Sequence, residues 1–339
     1  MPATALSVPS GNSPEAIARF PFPFEADTYM YATNVEEAER PHPNGVASWG
    51  EHVYDVDEHY RFEIAERARV LAADPARCQV MPHMRLAAWD VVEDATTRLA
   101  RDFPAHFSLE RRGTERRWVN RLLELEQVYV VEDDGSLPME PFEWITRQLQ
   151  EDVELLDQRG DDLYFDAGIL TFGADWSLDF DLGMHFLEIH GPVPRVHEMG
   201  VIPRAFQFLQ RLTPGVAYRR TNWTMTVGRR LDTCTEVYPE WGPDRASLRY
   251  EEIGERLHLR VEVQHFVRLP RSNAVMFPIH TYLASLDEIC TIPAWAQRLE
   301  RVLGSLPQDL VDYKGLTRYR DMAVDWLAER NATRTEDPR

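Results

Sequence analysis

Hydrophobic residues recur at two different spacings along the chain, and the spacing changes near residue 160. Before this point they repeat every three or four residues, as on one face of an amphipathic helix. Tyr60 and Ile64 begin one such series. The pattern predicts helices over 57–73, 86–101 and 141–156, and the third begins at a proline, which favours the first turn of a helix.

Beyond residue 160 the apolar residues follow the alternation of half-buried strands. The segment LHLRVEV alternates apolar and polar side chains with a period of two. Strands are predicted at 163–172, 217–227, 256–269 and 274–283, and helices at 178–190, 203–212 and 293–330. One strand, a helical middle and three further strands predict an α+β fold. The expected architecture is a PAS-like antiparallel sheet with flanking helices, preceded by an N-terminal helical segment.

Three regions are expected along the chain. Residues 1–150 would form a strap and helices packed on the core, and phenylalanines alternate with prolines over 20–24 of that strap. Residues 151–330 would form the PAS-like domain. The polar stretch 331–339 would be a disordered tail.

Charge and cysteine content exclude several classes of partner. The 56 acidic residues exceed the 37 Lys and Arg residues, which leaves a formal net charge of −19 at pH 7. Such a chain repels polyphosphates and anionic membranes, so neither nucleic acid nor a membrane is expected as a partner. The three cysteines form no CxxC pair, which disfavours a zinc or iron–sulfur site and a disulfide scaffold. Since no apolar run approaches about 20 residues, a cytoplasmic protein is expected.

Familiar catalytic motifs are missing from the sequence, including GxSxG, HExxH, the P-loop and glycine-rich dinucleotide loops. Histidines beside apolar segments remain as candidates. His190 ends a predicted helix directly before Gly-Pro-Val-Pro, where it could ligate a metal or haem iron, or cap the helix. His280 lies on the last predicted strand and could face a pocket, and His265 is a weaker candidate on the neighbouring strand.

Arginines near strand ends offer forked donors to a carboxylate ligand. Arg220, Arg268 and Arg271 have this placement. The alternative is that they pair with the many acidic side chains of the chain itself. Asp152 and Glu154, on the predicted helix 141–156, are expected to be solvated charges.

Five segments are distinctive in combination. They are EDVELL (151–156), FGADWSLDFDLG (172–183), IHGPVP (189–194), RRTNW (219–223) and RLPRSNAVMFPIHTYL (268–283). In this order they resemble the α subunit of the haem-dependent oxidative N-demethylases. Similar stretches upstream, 57–75 and 99–107, extend the resemblance to most of the chain.

The resemblance implies a PAS-like fold that binds haem b and works as an oxygenase. Such a subunit would demethylate a small amine with O2 and release formaldehyde. Electrons would come from a separate NAD(P)H-dependent flavin/[2Fe–2S] reductase. Two alternatives stay open: a haem-binding PAS-like sensor or carrier without turnover, and a haem-free member that binds another small molecule.

The resemblance also implies roles for individual residues. His190 is the first choice for the axial ligand of the iron, and His280 is the second choice, either as the ligand or as a catalytic residue of the pocket. The remaining roles are Asn222 as a catalytic residue, Arg220, Arg268 and Arg271 as partners of the haem propionates, and Trp223 in the wall of the haem pocket.

Overall fold

The fold is known from a computed structural model, which describes residues 7–30, 33–195 and 199–336. Before residue 150, the described residues form four α-helices and seven short strands. The helices are α1 (Pro14–Ala18), α2 (Tyr60–Ala73), α3 (Arg85–Asp102) and α4 (Pro141–Thr146), and the strands are β1 (Glu36–Glu37), β2 (His42–Pro43), β3 (Ser48–Trp49), β4 (Cys78–Val80), β5 (Phe107–Arg112), β6 (Glu115–Asn120) and β7 (Leu125–Val130).

The longest strands come after residue 150, together with further helices. The strands are β8 (Asp152–Arg159), β9 (Asp162–Ile169), β10 (Ala217–Val227), β11 (Leu257–Arg268) and β12 (Val275–Ser285), and the helices are α5 (Leu178–Asp181), α6 (Phe186–Ile189), α7 (Val201–Gln210), α8 (Tyr238–Ser247), α9 (Ile253–Arg256), α10 (Leu286–Cys290), α11 (Pro293–Ser305), α12 (Gln308–Tyr313) and α13 (Arg320–Glu336).

The described residues form a seven-stranded central sheet in the order β1-β10-β11-β12-β8-β9-β4. All neighbouring strands in it are antiparallel. The α+β class predicted from the sequence is confirmed. The strands predicted at 163–172, 217–227, 256–269 and 274–283 correspond to β9, β10, β11 and β12.

The two faces of this sheet are covered by different parts of the chain. Because successive side chains of a strand point to opposite faces, Val261, Val263 and His265 of β11 share one face, called here the front. Gln264 and Phe266 lie on the other face, called the back. N-terminal residues and the C-terminal helices pack on the front, whereas α5 to α7 pack on the back.

The alternating phenylalanines of the N-terminal strap lie on the front. Phe20, Phe22 and Phe24 are buried, and the ring of Phe22 stacks on Trp295 of α11 with centroids 4.8 Å apart. The same cluster includes Val261 of the central strand β11. Aromatic burial therefore fixes the strap against both the sheet and the C-terminal helices.

The predicted helix 141–156 is wrong in its second half. Helix α4 ends at Thr146, and β8 begins at Asp152. Val153 and Leu155 are fully buried and alternate with Glu154, which is the pattern of a strand. Asp152 and Glu154 therefore lie on a central strand, and their expected position as solvated helix charges is wrong.

The predicted helix 178–190 is two short helices, α5 and α6. Gly183 between them has φ of 85°, a left-handed conformation that a helix cannot contain. Its N–H donates to the carbonyl oxygen of Phe165 on β9 at 2.6 Å. The chain thus pairs briefly with the sheet before α6 begins.

The sequence analysis missed the separate three-stranded sheet β5-β6-β7. Its Phe107, Trp118 and Tyr129 are buried against α3, while arginines and glutamates cover its other face. At the other end, α13 continues to Glu336 and includes most of the stretch predicted as a tail, and residues 337–339 lie outside the described residues. In the described ranges, no helix has both the length and the hydropathy needed to cross a bilayer.

Candidate functional site

The two histidines singled out from the sequence lie on opposite sides of the sheet. His280 of β12 pairs in register with Val263 and shares the front face with it. His190 follows α6 and packs on Phe186, in the cluster that covers Phe266 on the back. A single bound group cannot contact both, so the residues proposed from the sequence do not form one site.

His190 is positioned by a short, well-capped helix. The side chain of Glu188 accepts a hydrogen bond from the backbone N–H of His185 at 3.1 Å, which fixes the start of α6. At the other end, the ring of His190 lies 4.3 Å from that of Phe186, and its Nδ1 lies 2.8 Å from the carbonyl oxygen of Phe186. Because a carbonyl only accepts, Nδ1 carries a proton in this contact. This orientation is the one that a metal-ligating histidine adopts when a backbone oxygen fixes its tautomer.

An aromatic wall lies on the back of the sheet beneath α6 and α7. Tyr218 pairs in register with Phe266, and the rings of Phe266 and Phe277 stack at 5.0 Å. Phe208 of α7 meets Tyr218 edge-on at 5.0 Å. Tyr218, Phe277 and Phe208 are only half-buried, so this apolar wall retains accessible surface beside the helices.

Two half-buried cations lie at β10, the strand that carries Tyr218 of this wall. Arg220 lies on the back of β10 beside Gln264. Lys314 lies at the edge of β10, with its Nζ 2.7 Å from the carbonyl oxygen of Trp223 and 4.7 Å from the centroid of the Trp223 ring. Burial lowers the pKa of both, to about 8 for Lys314, although the charge of Glu262 acts in the opposite direction. Neither forms an ion pair with a carboxylate of the described residues, which leaves both available to an anionic ligand.

A cluster of polar side chains occupies the same face. Asn222 pairs with Glu262 across β10 and β11, and its Nδ2 donates to Glu262 Oε2 at 3.2 Å. Gln264 donates to the same oxygen at 3.0 Å. Glu154 of β8 pairs with Phe277, and burial, together with the charges of nearby carboxylates, holds the pKa of Glu154 well above its usual range. This shift favours the neutral form of the carboxyl, which carries a proton.

The front face contains a cavity of about 320 Å3 that includes His280. His280 Nδ1 lies 3.0 Å from Glu151 Oε1, and its ring stacks on Tyr282 at 4.2 Å. Although burial alone lowers it, the hydrogen bond and charge of Glu151 raise the pKa of His280 to about 10. His265 lines the same cavity, and burial lowers its pKa to about 3, which keeps it neutral.

Three of the other predicted site residues have contacts within the protein. Trp223 is buried on the front against Phe24, with ring centroids 4.9 Å apart. The guanidinium of Arg268 donates to four oxygens at 2.6–3.3 Å, including the carbonyls of Leu209 in the last turn of α7 and of Leu212 after it. Arg271 lies in the β11–β12 turn and pairs with Asp90 of α3, Nε to Oδ1, at 2.5 Å, and with Glu132. The ion pairs of Arg271 favour the alternative stated for the arginines, which is pairing with acidic side chains of the chain itself, whereas Arg268 contacts only neutral oxygens.

His190, Arg220 and Asn222 thus share the back of the sheet. Glu154 lies on the same face and Lys314 at the edge of β10, and the sequence analysis selected neither as a site residue. Lys314 is the single lysine of the chain, and this could have drawn attention to it. Glu154 was missed because the segment was predicted as a helix.

A comparison with known families adds to this geometry. A model of the family described as haem-dependent oxidative N-demethylase, alpha subunit-like, matches residues 46–324. The chain belongs to this family. The resemblance stated from the sequence is thereby confirmed, and the family description names haem dependence and oxidative N-demethylation.

The residues of the back face fit the haem that this N-demethylase family is named for. Haem is a flat apolar ring with two carboxylates, and a protein holds its iron through a strong ligand such as imidazole. The back offers the aromatic wall, the imidazole of His190 and the half-buried Arg220, and Lys314 lies at the edge of β10. The front cavity does not fit, because seven carboxyl side chains and only two arginines are among the described residues that line it, and these would repel the propionates.

Proposed function

We propose that this chain is the haem-binding oxygenase subunit of an enzyme that removes a methyl group from a small amine. The sheet would be PAS-like, with α5 to α7 inserted between β9 and β10, and haem b would lie between these helices and the back. The observation that carries the proposal is His190, with its Nδ1–H donated to the carbonyl oxygen of Phe186 beside an aromatic wall. Bound haem would supply a redox-active iron with an open position for O2.

Other side chains would bind the iron, bind the porphyrin carboxylates and exclude water. His190 Nε2 would hold the iron, while Arg220 and Lys314 would bind the carboxylates of the porphyrin. Tyr218, Phe266 and Phe277 would exclude water from the ring. Exclusion of water also strengthens the electrostatic interactions inside the site.

Two carboxyl groups of the back face would bind the amine substrate and supply a proton. Glu262, held by Asn222 and Gln264, would accept a hydrogen bond from a protonated amine. The raised pKa of Glu154 favours its protonated form, so Glu154 would hold a proton for transfer at the site.

Electrons would have to come from a partner. The family description names an alpha subunit, which supports a multisubunit enzyme. A flavin/[2Fe–2S] reductase that uses NAD(P)H would supply the two electrons. The balance is one methylamine group, O2, NADPH and a proton, giving the demethylated amine, formaldehyde, NADP+ and water.

A turnover assay tests this function. Haem-loaded full-length chain is mixed with O2, a small secondary methylamine, NADPH and a flavin/[2Fe–2S] reductase. We expect formaldehyde release in about equal amounts to NADPH consumed, and none when the haem-free chain is used. A haem-loaded chain that is reduced and binds O2 without forming formaldehyde from any methylamine would support a sensor or carrier instead.

A further inference from the structure

We propose that the front-face cavity is a binding site for a small organic cation of the alkylammonium class, separate from the back-face site of the proposed function. The cavity, of about 320 Å3, lies between the sheet, the segment 49–59 and α2. This volume falls at the lower end of the range for small-molecule pockets.

Unsatisfied polar atoms converge on this cavity. Glu151 Oε2, His280 Nε2 and both ring nitrogens of His265 are buried and make no hydrogen bond to any described residue. These three side chains are only 1–3% exposed. Buried polar atoms nearly always have a partner, so unsatisfied atoms on three residues that line one cavity indicate a polar occupant rather than a dry void.

The sign of the charge on the lining favours a cation. Asp55, Asp57 and Glu151 surround the inner part of the cavity, and His280 is their nearest positive group. Arg229 also lines the cavity and keeps its positive charge, because it donates to Asn12 and His59 at 2.9 Å and not to a carboxylate. Seven carboxyl side chains still outnumber His280 and the two arginines of the described lining, and this acidic excess attracts a positive ligand.

The apolar part of the lining suits an alkylated cation better than a metal ion. Phe20, Trp49, Phe62, Phe103 and Tyr282 contribute aromatic surface to the cavity. Aromatic faces attract organic cations through cation–π interactions. In the described ranges, the side chains close enough together to hold a metal ion are His83, Asp157 and Asp166. None of these three residues lines the cavity.

Calorimetric titration of the haem-free full-length chain tests the proposal. The probes are propylammonium, 1-propanol and propionate, which have similar size and differ in charge. We expect propylammonium to bind and the other two to bind at least about tenfold more weakly. Since the two sites lie on opposite faces, the haem-loaded chain should bind propylammonium with the same affinity.

Variants identify the cavity as the place of binding. Glu151→Gln removes the unpaired carboxylate oxygen and should weaken propylammonium binding by about tenfold or more. Asp55→Asn keeps the acceptor for Tyr282 but removes a charge, so it should weaken binding even if the first variant folds poorly. Glu126→Gln, at an exposed carboxyl on β7, is the control and should bind as the unmodified chain does.

Several outcomes would overturn the proposal. They are an absence of heat with all three probes, equal affinity for 1-propanol and propylammonium, and unchanged affinity in both Glu151→Gln and Asp55→Asn. Loss of propylammonium binding on haem loading would contradict the separation of the two sites. None of these results depends on whether the chain demethylates an amine.

Discussion

Among single residues, Glu154 is a carboxylic acid whose position in the sheet raises its pKa. It lies on β8 beside Phe277, and its pKa is raised by burial and by the neighbouring carboxylates Asp152, Glu262 and Asp181. A neutral carboxylic acid in an apolar site is a good proton donor near neutral pH. This gives Glu154 a role that no pattern of the sequence indicates.

Substitution of Glu154 tests this role. Glu154→Gln keeps the shape of the side chain but cannot donate a carboxyl proton, so we expect the turnover rate to fall by about a hundredfold or more while haem affinity stays the same. The unmodified enzyme should lose activity as pH rises through the pKa of Glu154, because the carboxyl then ionises. The variant should lack this alkaline decline.

The measurement is the rate of formaldehyde release between pH 6 and pH 10, with haem content determined for each sample. Glu126→Gln is again the matched control and should keep the rate and the pH profile of the unmodified chain. An alkaline decline that is unchanged in Glu154→Gln would show that another group controls the proton.

The break between α5 and α6 decides where His190 lies. An uninterrupted helix over 178–190 would carry its last residue away from the sheet, whereas Gly183 returns the chain to β9 by donating its N–H to the carbonyl oxygen of Phe165. An added Cβ at Gly183 would lie 3.2 Å from the Cε of Met81. The glycine thus serves both the left-handed turn and the close approach.

Gly183→Ala should therefore have two effects. It should lower the free energy of unfolding by about 1–2 kcal/mol, because alanine is strained in the left-handed region. It should also weaken haem binding severalfold, because α6 and His190 shift. Gly160→Ala is the matched control, since Gly160 also has a positive φ of 62° but no atom within 4 Å of an added Cβ.

Urea unfolding and hemin titration of both variants measure these effects. Similar losses of stability in the two variants, with weaker hemin binding in Gly183→Ala alone, would agree with the account. Equal hemin affinity in the two variants would contradict a role of this break in placing His190.

The elements predicted best from the sequence are those whose pattern and packing agree. Strand β11 alternates apolar and polar residues, and β10 was predicted with its observed bounds. The helix predicted over 141–156 failed because its apolar residues also fit a strand, and burial between two sheet neighbours decided the outcome. The sheet β5-β6-β7 was missed because its many charged residues resemble those of a solvated loop.

The whole molecule separates two chemical environments on the two sides of one sheet. The back combines apolar rings with the half-buried Arg220, and the front combines carboxylates with a protonated histidine. The sequence identified His190 and His280 as candidates but could not show that they face apart. That separation depends on the register of β11 with β12 and on the turn at Gly183, which are properties of the folded chain.

The central claim is that haem binds on the back through His190, and a hemin titration of three proteins tests it most directly. The full-length chain, His190→Ala and His265→Ala are each titrated with hemin while the Soret absorbance is followed and the fold is checked by circular dichroism. We predict one hemin per chain for the unmodified protein and His265→Ala, and loss of tight binding in folded His190→Ala. Tight binding retained by His190→Ala and lost in His265→Ala would place the haem in the front cavity and contradict the account.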